Sequence, residues 1–218
     1  MAQHFSPSAD TLFRAVLAGL ALLLLAGLAV MLALPFTPHM TRRNDTVEQP
    51  VQFSHAHHVG ELGLDCRMCH QSVVQSRFAG MPPTHTCMTC HSQIWTEAAM
   101  LAPVRQSLAE KEPLAWKRVH RLPDYVFFDH SVHVAKGVGC STCHGPVQSM
   151  QQVYQAEPMT MGWCLSCHRD PAPHLRPREQ VFDMDWTPPP DQRARGEALI
   201  RHSMIETEHL TDCSRCHR

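Results

Sequence analysis

Cys140-Ser141-Thr142-Cys143-His144 decides the fold, because the chain carries this pattern five times. The other copies are Cys66-Arg67-Met68-Cys69-His70, Cys87-Met88-Thr89-Cys90-His91, Cys164-Leu165-Ser166-Cys167-His168 and Cys213-Ser214-Arg215-Cys216-His217. Two thiols at this spacing share one short helical turn. Both can form thioethers to the vinyl groups of a porphyrin, and the next residue aims an imidazole at the iron, which is the arrangement of covalent c-type haem attachment. Zinc sites, disulfides and redox dithiols also use Cys-x-x-Cys. Yet all ten cysteines fall in these five pairs, every pair is followed by His, and no cysteine is left over. The motifs therefore predict five c-type haems on Cys66, Cys69, Cys87, Cys90, Cys140, Cys143, Cys164, Cys167, Cys213 and Cys216, with His70, His91, His144, His168 and His217 as proximal iron ligands.

Five porphyrins leave little protein for a conventional core. The 218 residues, less the apolar segment described below, leave roughly 180 for a soluble part, an ordinary single-domain size. Only 6% of the chain is aromatic, while 10 glycines and 17 prolines favour turns. The expected fold is mainly α with much irregular loop, a multihaem cytochrome c fold whose core is packed by haem, plus one N-terminal transmembrane helix. A net charge of −1 and the lack of any Lys/Arg-rich run exclude a nucleic-acid partner.

Residues 15–34 (AVLAGLALLLLAGLAVMLAL) carry no charge, and at 1.5 Å per residue they reach about 30 Å, the thickness of a bilayer core. A cleaved signal peptide has a shorter apolar stretch, about 7–15 residues, so an uncleaved anchor is expected, with Pro35 ending its helix. Arg14 before the span and Arg42 and Arg43 after it do not set an orientation. Covalent haem attachment on the oxidising side of the inner (cytoplasmic) membrane does: residues 1–14 are cytoplasmic and the haem domain is periplasmic.

Beyond a polar tether at 35–50, the chain repeats itself. Phe53-Ser54-His55-Ala56-His57-His58-Val59 and Phe128-Asp129-His130-Ser131-Val132-His133-Val134 are 75 positions apart, each followed by two attachment motifs. This divides the chain into a two-haem module at 51–112, a second at 113–170, and a Pro-rich linker with the fifth haem at 171–218. The i, i+3 spacing stacks two imidazoles on one side of a helical turn, so His55, His58, His130 and His133 are expected distal ligands, each to a different haem, while His57 breaks the phase and faces solvent. Of the 17 histidines, His120 is the first choice for the fifth distal position, with Met161, Met150, His209 and His202 as alternatives. A Met ligand would raise that haem's potential, since axial ligation moves haem potentials over roughly 0.8 V. Scaffold helices are expected at 92–101, capped by Ser92 and ended or kinked by Pro103, at 104–111, and at 192–205. The six prolines of 169–192 predict an extended, stiff connection.

With these residues laid out, the chain resembles the membrane-anchored pentahaem cytochrome c subunit of alternative complex III, the bacterial quinol:electron-acceptor oxidoreductase. The resemblance is carried outside the haem signature by Phe53-Ser54-His55, Ala79-Gly80-Met81-Pro82-Pro83, Leu122-Pro123-Asp124-Tyr125-Val126-Phe127-Phe128, Gly137-Val138-Gly139 and Met161-Gly162-Trp163. It implies a haem wire without an active site of its own, fed by quinol oxidation through an iron–sulfur subunit. It also implies quinone-binding integral membrane subunits as partners, a periplasmic or membrane cytochrome or terminal oxidase as acceptor, and a place in a respiratory or photosynthetic chain. Two other classes compete. A multihaem reductase needs an iron with an open position, whereas all five motifs end in His. A stand-alone anchored quinol dehydrogenase keeps its first haem near the membrane, whereas 31 residues separate Leu34 from Cys66.

Overall fold

A proline at the first turn opens helix α1 (Pro7–Ala33), where the missing N–H has no intrahelical partner to lose. In this computed structural model, which describes residues 6–217, α1 starts eight residues before the expected span. Nothing in that stretch breaks a helix, and Arg14 Nε pairs with Asp10 Oδ2 at 3.0 Å one turn away. Its end matches expectation: a 3₁₀ turn, Leu34–Phe36, forms around Pro35, followed by the single turn α2 (Pro38–Thr41). The leucines of α1 are exposed along its length, and the helix is long and apolar enough to cross a membrane. Among the described residues, those up to Arg42 form one unit and those from Arg43 on form another.

The second unit is built of short helices and loops; among the described residues three isolated bridges form but no strand. Its helices are α3 (Cys66–Cys69), α4 (Thr84–His91), α5 (Ala102–Glu110), α6 (His130–Ala135), α7 (Cys140–His144), α8 (Met161–Arg169), α9 (Gln192–His202) and α10 (Cys213–Cys216), with a π turn at Ala56–Glu61. Each of the five motifs thus lies on its own helical turn. Local caps set where these begin: Asp65 accepts from Arg67 N–H, Asp129 from Ser131 and Val132 N–H, and Thr160 from Trp163 N–H.

Side chains do not fill this unit. The core consists of two small clusters, Val51, Leu101 and Val104 in one and Val73, Val134 and Val181 in the other. The chain exposes 15151 Å², against about 10,000 Å² for a folded monomer of its mass of 24.6 kDa. The exposed α1 accounts for part of the excess. Short helices and loops around two small clusters account for the rest.

Three expectations are corrected. Residues 92–101 do not form one helix, only a 3₁₀ turn at Ala99–Leu101, because α4 ends at His91 and Trp95 turns into the left-handed region at φ 57°. Pro103 ends nothing; it sits in the first turn of α5, where its fixed φ suits a helix start. The Pro-rich stretch is packed, not extended. Leu175 is 2% and Val181 0% exposed, Val138 bridges Leu175, and Gly196 of α9 seats against the Ala172 carbonyl so closely that a Cβ would overlap it. The polar segment after α2 is also tied down, by Asn44 N–H to the Gln155 carbonyl at 2.8 Å and by the Thr46–Tyr154 bridge.

Candidate functional site

The two repeats place their aromatic rings alike. Phe53 stacks on His58 at 4.3 Å and 25° and meets His55 edge-on at 4.9 Å. Phe128 stacks on His133 at 4.5 Å and 27° and meets His130 edge-on at 4.8 Å. Each Phe therefore props two imidazoles of one turn apart. The second His of each turn is held by its own backbone: His58 Nδ1–H donates to the Ser54 carbonyl at 2.8 Å and His133 Nδ1–H to the Asp129 carbonyl at 2.7 Å.

The same device recurs at the motif histidines. Nδ1–H of His70 donates to the Gly80 carbonyl at 2.7 Å, His168 to Leu210 at 2.8 Å, and His130 of the second turn to Arg77 at 2.8 Å. His91 and His217 make longer bonds of 3.3 and 3.2 Å, to the Ile94 and Tyr125 carbonyls. A carbonyl on Nδ1 fixes the tautomer and leaves the Nε2 lone pair free, as an iron ligand requires.

The free nitrogens come in pairs. His58 and His91, His130 and His144, and His133 and His168 each have ring centroids 6.2 Å apart. A metal–imidazole bond is about 2 Å and a ring nitrogen lies about 1 Å from its centroid, so two imidazoles on opposite faces of one iron have centroids on the order of 6 Å apart. His55 completes the set: burial, with His70 and His58 beside it, pushes its pKa down to about 4, and its Nδ1 is buried without a partner. Burial, with His120, His130, His70 and His55 around it, pushes His144 down to about 3. All these shifts keep the imidazoles neutral, the form that binds metal.

The ten thiols are free, and burial pushes Cys140 and Cys167 up to about 11 and Cys143 up to about 12. Among the described residues no three His, Cys, Asp or Glu side chains converge as a metal cage; candidate ligands meet in twos. The paired imidazoles and helical thiol pairs fit haem and do not fit tetrahedral zinc.

Residues 126–218 match the family of cytochrome c7 and related cytochromes c. The multihaem cytochrome c subunit of the menaquinone reductase of Nitratidesulfovibrio vulgaris is 31% identical over 174 residues, 78% of this chain and 68% of that one. The chain belongs to the multihaem cytochrome c family.

The motifs of this cytochrome are neighbours in a definite spatial order. Cys87 of the second motif lies beside Cys69 of the first. Cys66 of the first lies beside Cys140 of the third, which packs against the cluster of Val73, Val134 and Val181. Cys143 of the third lies beside Cys164 and Cys167 of the fourth, and Cys164 beside Cys216 of the fifth. The order in space is second, first, third, fourth, fifth.

The candidates for the fifth distal position are scattered. His120 is turned inward, its Nε2 3.2 Å from His144 Nδ1, and burial pushes its pKa down to about 4. Met150 is buried and Met161 is 65% exposed. His202 is exposed on α9, and His209 Nδ1 pairs with Asp212 at 3.0 Å. His57 pairs with Glu61 at 2.7 Å on the half-exposed side of the first turn. The sequence reading missed Arg176, which is buried against Ser141 and Thr142; a lone Arg between prolines carried no signal of that position.

Proposed function

We propose that this cytochrome carries five c-type haems and moves electrons between a quinone-handling membrane complex and a periplasmic partner. The supporting observation is the set of imidazole pairs at 6.2 Å, with Nδ1 of His58, His91, His130, His133 and His168 held by carbonyls and that of His144 against His120. In this reading the five motifs attach the haems and supply the proximal ligands. The irons would be held by His70 with His55, His91 with His58, His144 with His130, and His168 with His133. Each haem, when bound, supplies a one-electron iron couple whose potential its axial ligands set. Each Phe-propped turn serves two haems, and the motif order makes one continuous row with the second and fifth motifs at its ends. His217 takes its distal partner from Met161, His202 or His209, since His120 is engaged with His144 and Met150 is packed inside. The protein has no active site of its own.

Helix α1 is the single anchor in the inner membrane, and the haem body is periplasmic. Its partners are the iron–sulfur and quinone-binding integral subunits of a complex of the alternative complex III type, with a cytochrome or terminal oxidase as acceptor. A second reading reverses the flow, since the similar Nitratidesulfovibrio vulgaris protein is a subunit of a menaquinone reductase. The test uses the intact membrane complex and the haem α-band. Reduction by a menaquinol analogue supports the outward direction, and reduction only by a periplasmic electron donor the inward one. Reduction by neither ends both. Reduction of the isolated chain by the quinol would instead make it a stand-alone quinol dehydrogenase.

A further inference from the structure

Arg176 is 3% exposed, yet no carboxylate comes within ion-pair distance of it among the described residues. Its Nη1 donates to the Asp183 carbonyl at 3.0 Å, and its Nη2 donates to Ser141 Oγ at 3.1 Å and Thr142 Oγ1 at 3.4 Å. Trp186 covers its face at 4.2 Å, and Nε is buried with no partner. Gly139 leaves the space: a Cβ there would overlap the guanidinium. Ser141 and Thr142 are the two residues between Cys140 and Cys143, so the fork grips the attachment turn itself. Asp183 is the acidic group within electrostatic reach of the guanidinium, and Asp65 and Glu157 are those within reach of Cys140 and Cys143 of this turn.

The first repeat does the opposite. Arg67, inside Cys66-Arg67-Met68-Cys69, is exposed and locked to Asp65 by Nε–Oδ1 at 2.8 Å and Nη2–Oδ2 at 2.6 Å. There the positive charge is cancelled in solvent; at the third motif it is retained in a low-dielectric interior, where Coulomb effects carry furthest.

We propose that Arg176 is a positioning residue that raises the reduction potential of the centre carried by Cys140, Cys143 and His144 above that of its counterpart on Cys66, Cys69 and His70. This rests on the haem assignment of those motifs. An electron added to the iron would be stabilised by a buried cation that no carboxylate pairs with directly, Asp183 acting only at longer range, and Arg stays protonated even when burial lowers its pKa. The repeat thereby gains a potential step between two otherwise similar centres.

The test is redox titration of the full-length holoprotein, monitored by visible and EPR spectra, with covalent haem counted by mass. Arg176→Met should lower one of five midpoint potentials by at least tenfold in its reduction equilibrium, about 59 mV for one electron, with five haems still attached. Arg176→Lys, which keeps the charge and loses the fork, should restore that potential to within roughly threefold. Ser141→Asp, which sets a carboxylate against the guanidinium, should lower the same potential, and it decides the matter if Arg176→Met does not accumulate. Five unchanged potentials in these variants, or a Lys variant that falls as far as Met, would overturn the proposal. A wild-type mass equal to the bare polypeptide would instead overturn the haem assignment beneath it.

Discussion

The two repeats have nearly the same rings on different backbones. Phe53, His55 and His58 hang on a π turn, Phe128, His130 and His133 on α6, yet the stacking distances agree within 0.2 Å, 4.3 against 4.5 Å and 4.9 against 4.8 Å. What differs is the surroundings. In the first repeat Cys90, Ile94 and Trp95 are exposed and the His58–His91 planes are 65° apart. In the second, the stretch around Leu175 and Val181 closes over the third motif, and His130 and His144 lie within 9° of parallel. Local spacing sets how the imidazoles are presented, and distant packing sets the environment in which they work.

That contrast can be broken at several points. The largest effect is expected from replacing Cys140 and Cys143 by Ala. Their turn touches Arg176, Val181 and the first motif, so holoprotein should fail to accumulate or should lose more than one haem by mass. Replacing the more exposed Cys213 and Cys216 should remove one haem and leave a folded four-haem protein. Next, His130→Ala and His55→Ala should each open one iron while all thioethers persist, giving one high-spin EPR signal and a lost near-infrared band. An unchanged spectrum rejects that ligand.

Gly60→Ala sharpens the comparison, because the matching position of the second repeat is already Ala135. In the first repeat a Cβ would overlap the Gln148 carbonyl. The substitution should cost about 1–3 kcal/mol and lower Tm by about 2–4 °C per kcal/mol for a chain of this size. His57→Ala should do least. Its pairing with Glu61 is half-exposed, such pairs contribute about 0–1 kcal/mol, and the haem spectra should not change.

Much was readable without coordinates. The mainly helical body, the apolar N-terminal helix stopped before Pro35, and five helical thiol turns all follow from residues that are close in sequence. A helix over 92–101 was misread because apolar spacing alone does not reveal that Trp95 takes a left-handed turn. The Pro-rich segment was misread because proline predicts local stiffness and says nothing about what Leu175 and Val181 pack against.

Spacing within the chain determined the cofactor class and the repeat, since a thioether pair and its imidazole need only one turn of backbone to be arranged. Only the tertiary structure decided which imidazole faces which, the order of the five motifs, and the burial of Arg176 against Ser141 and Thr142. These depend on contacts between residues tens of positions apart, and such contacts form where chain segments share an interior that no local pattern encodes.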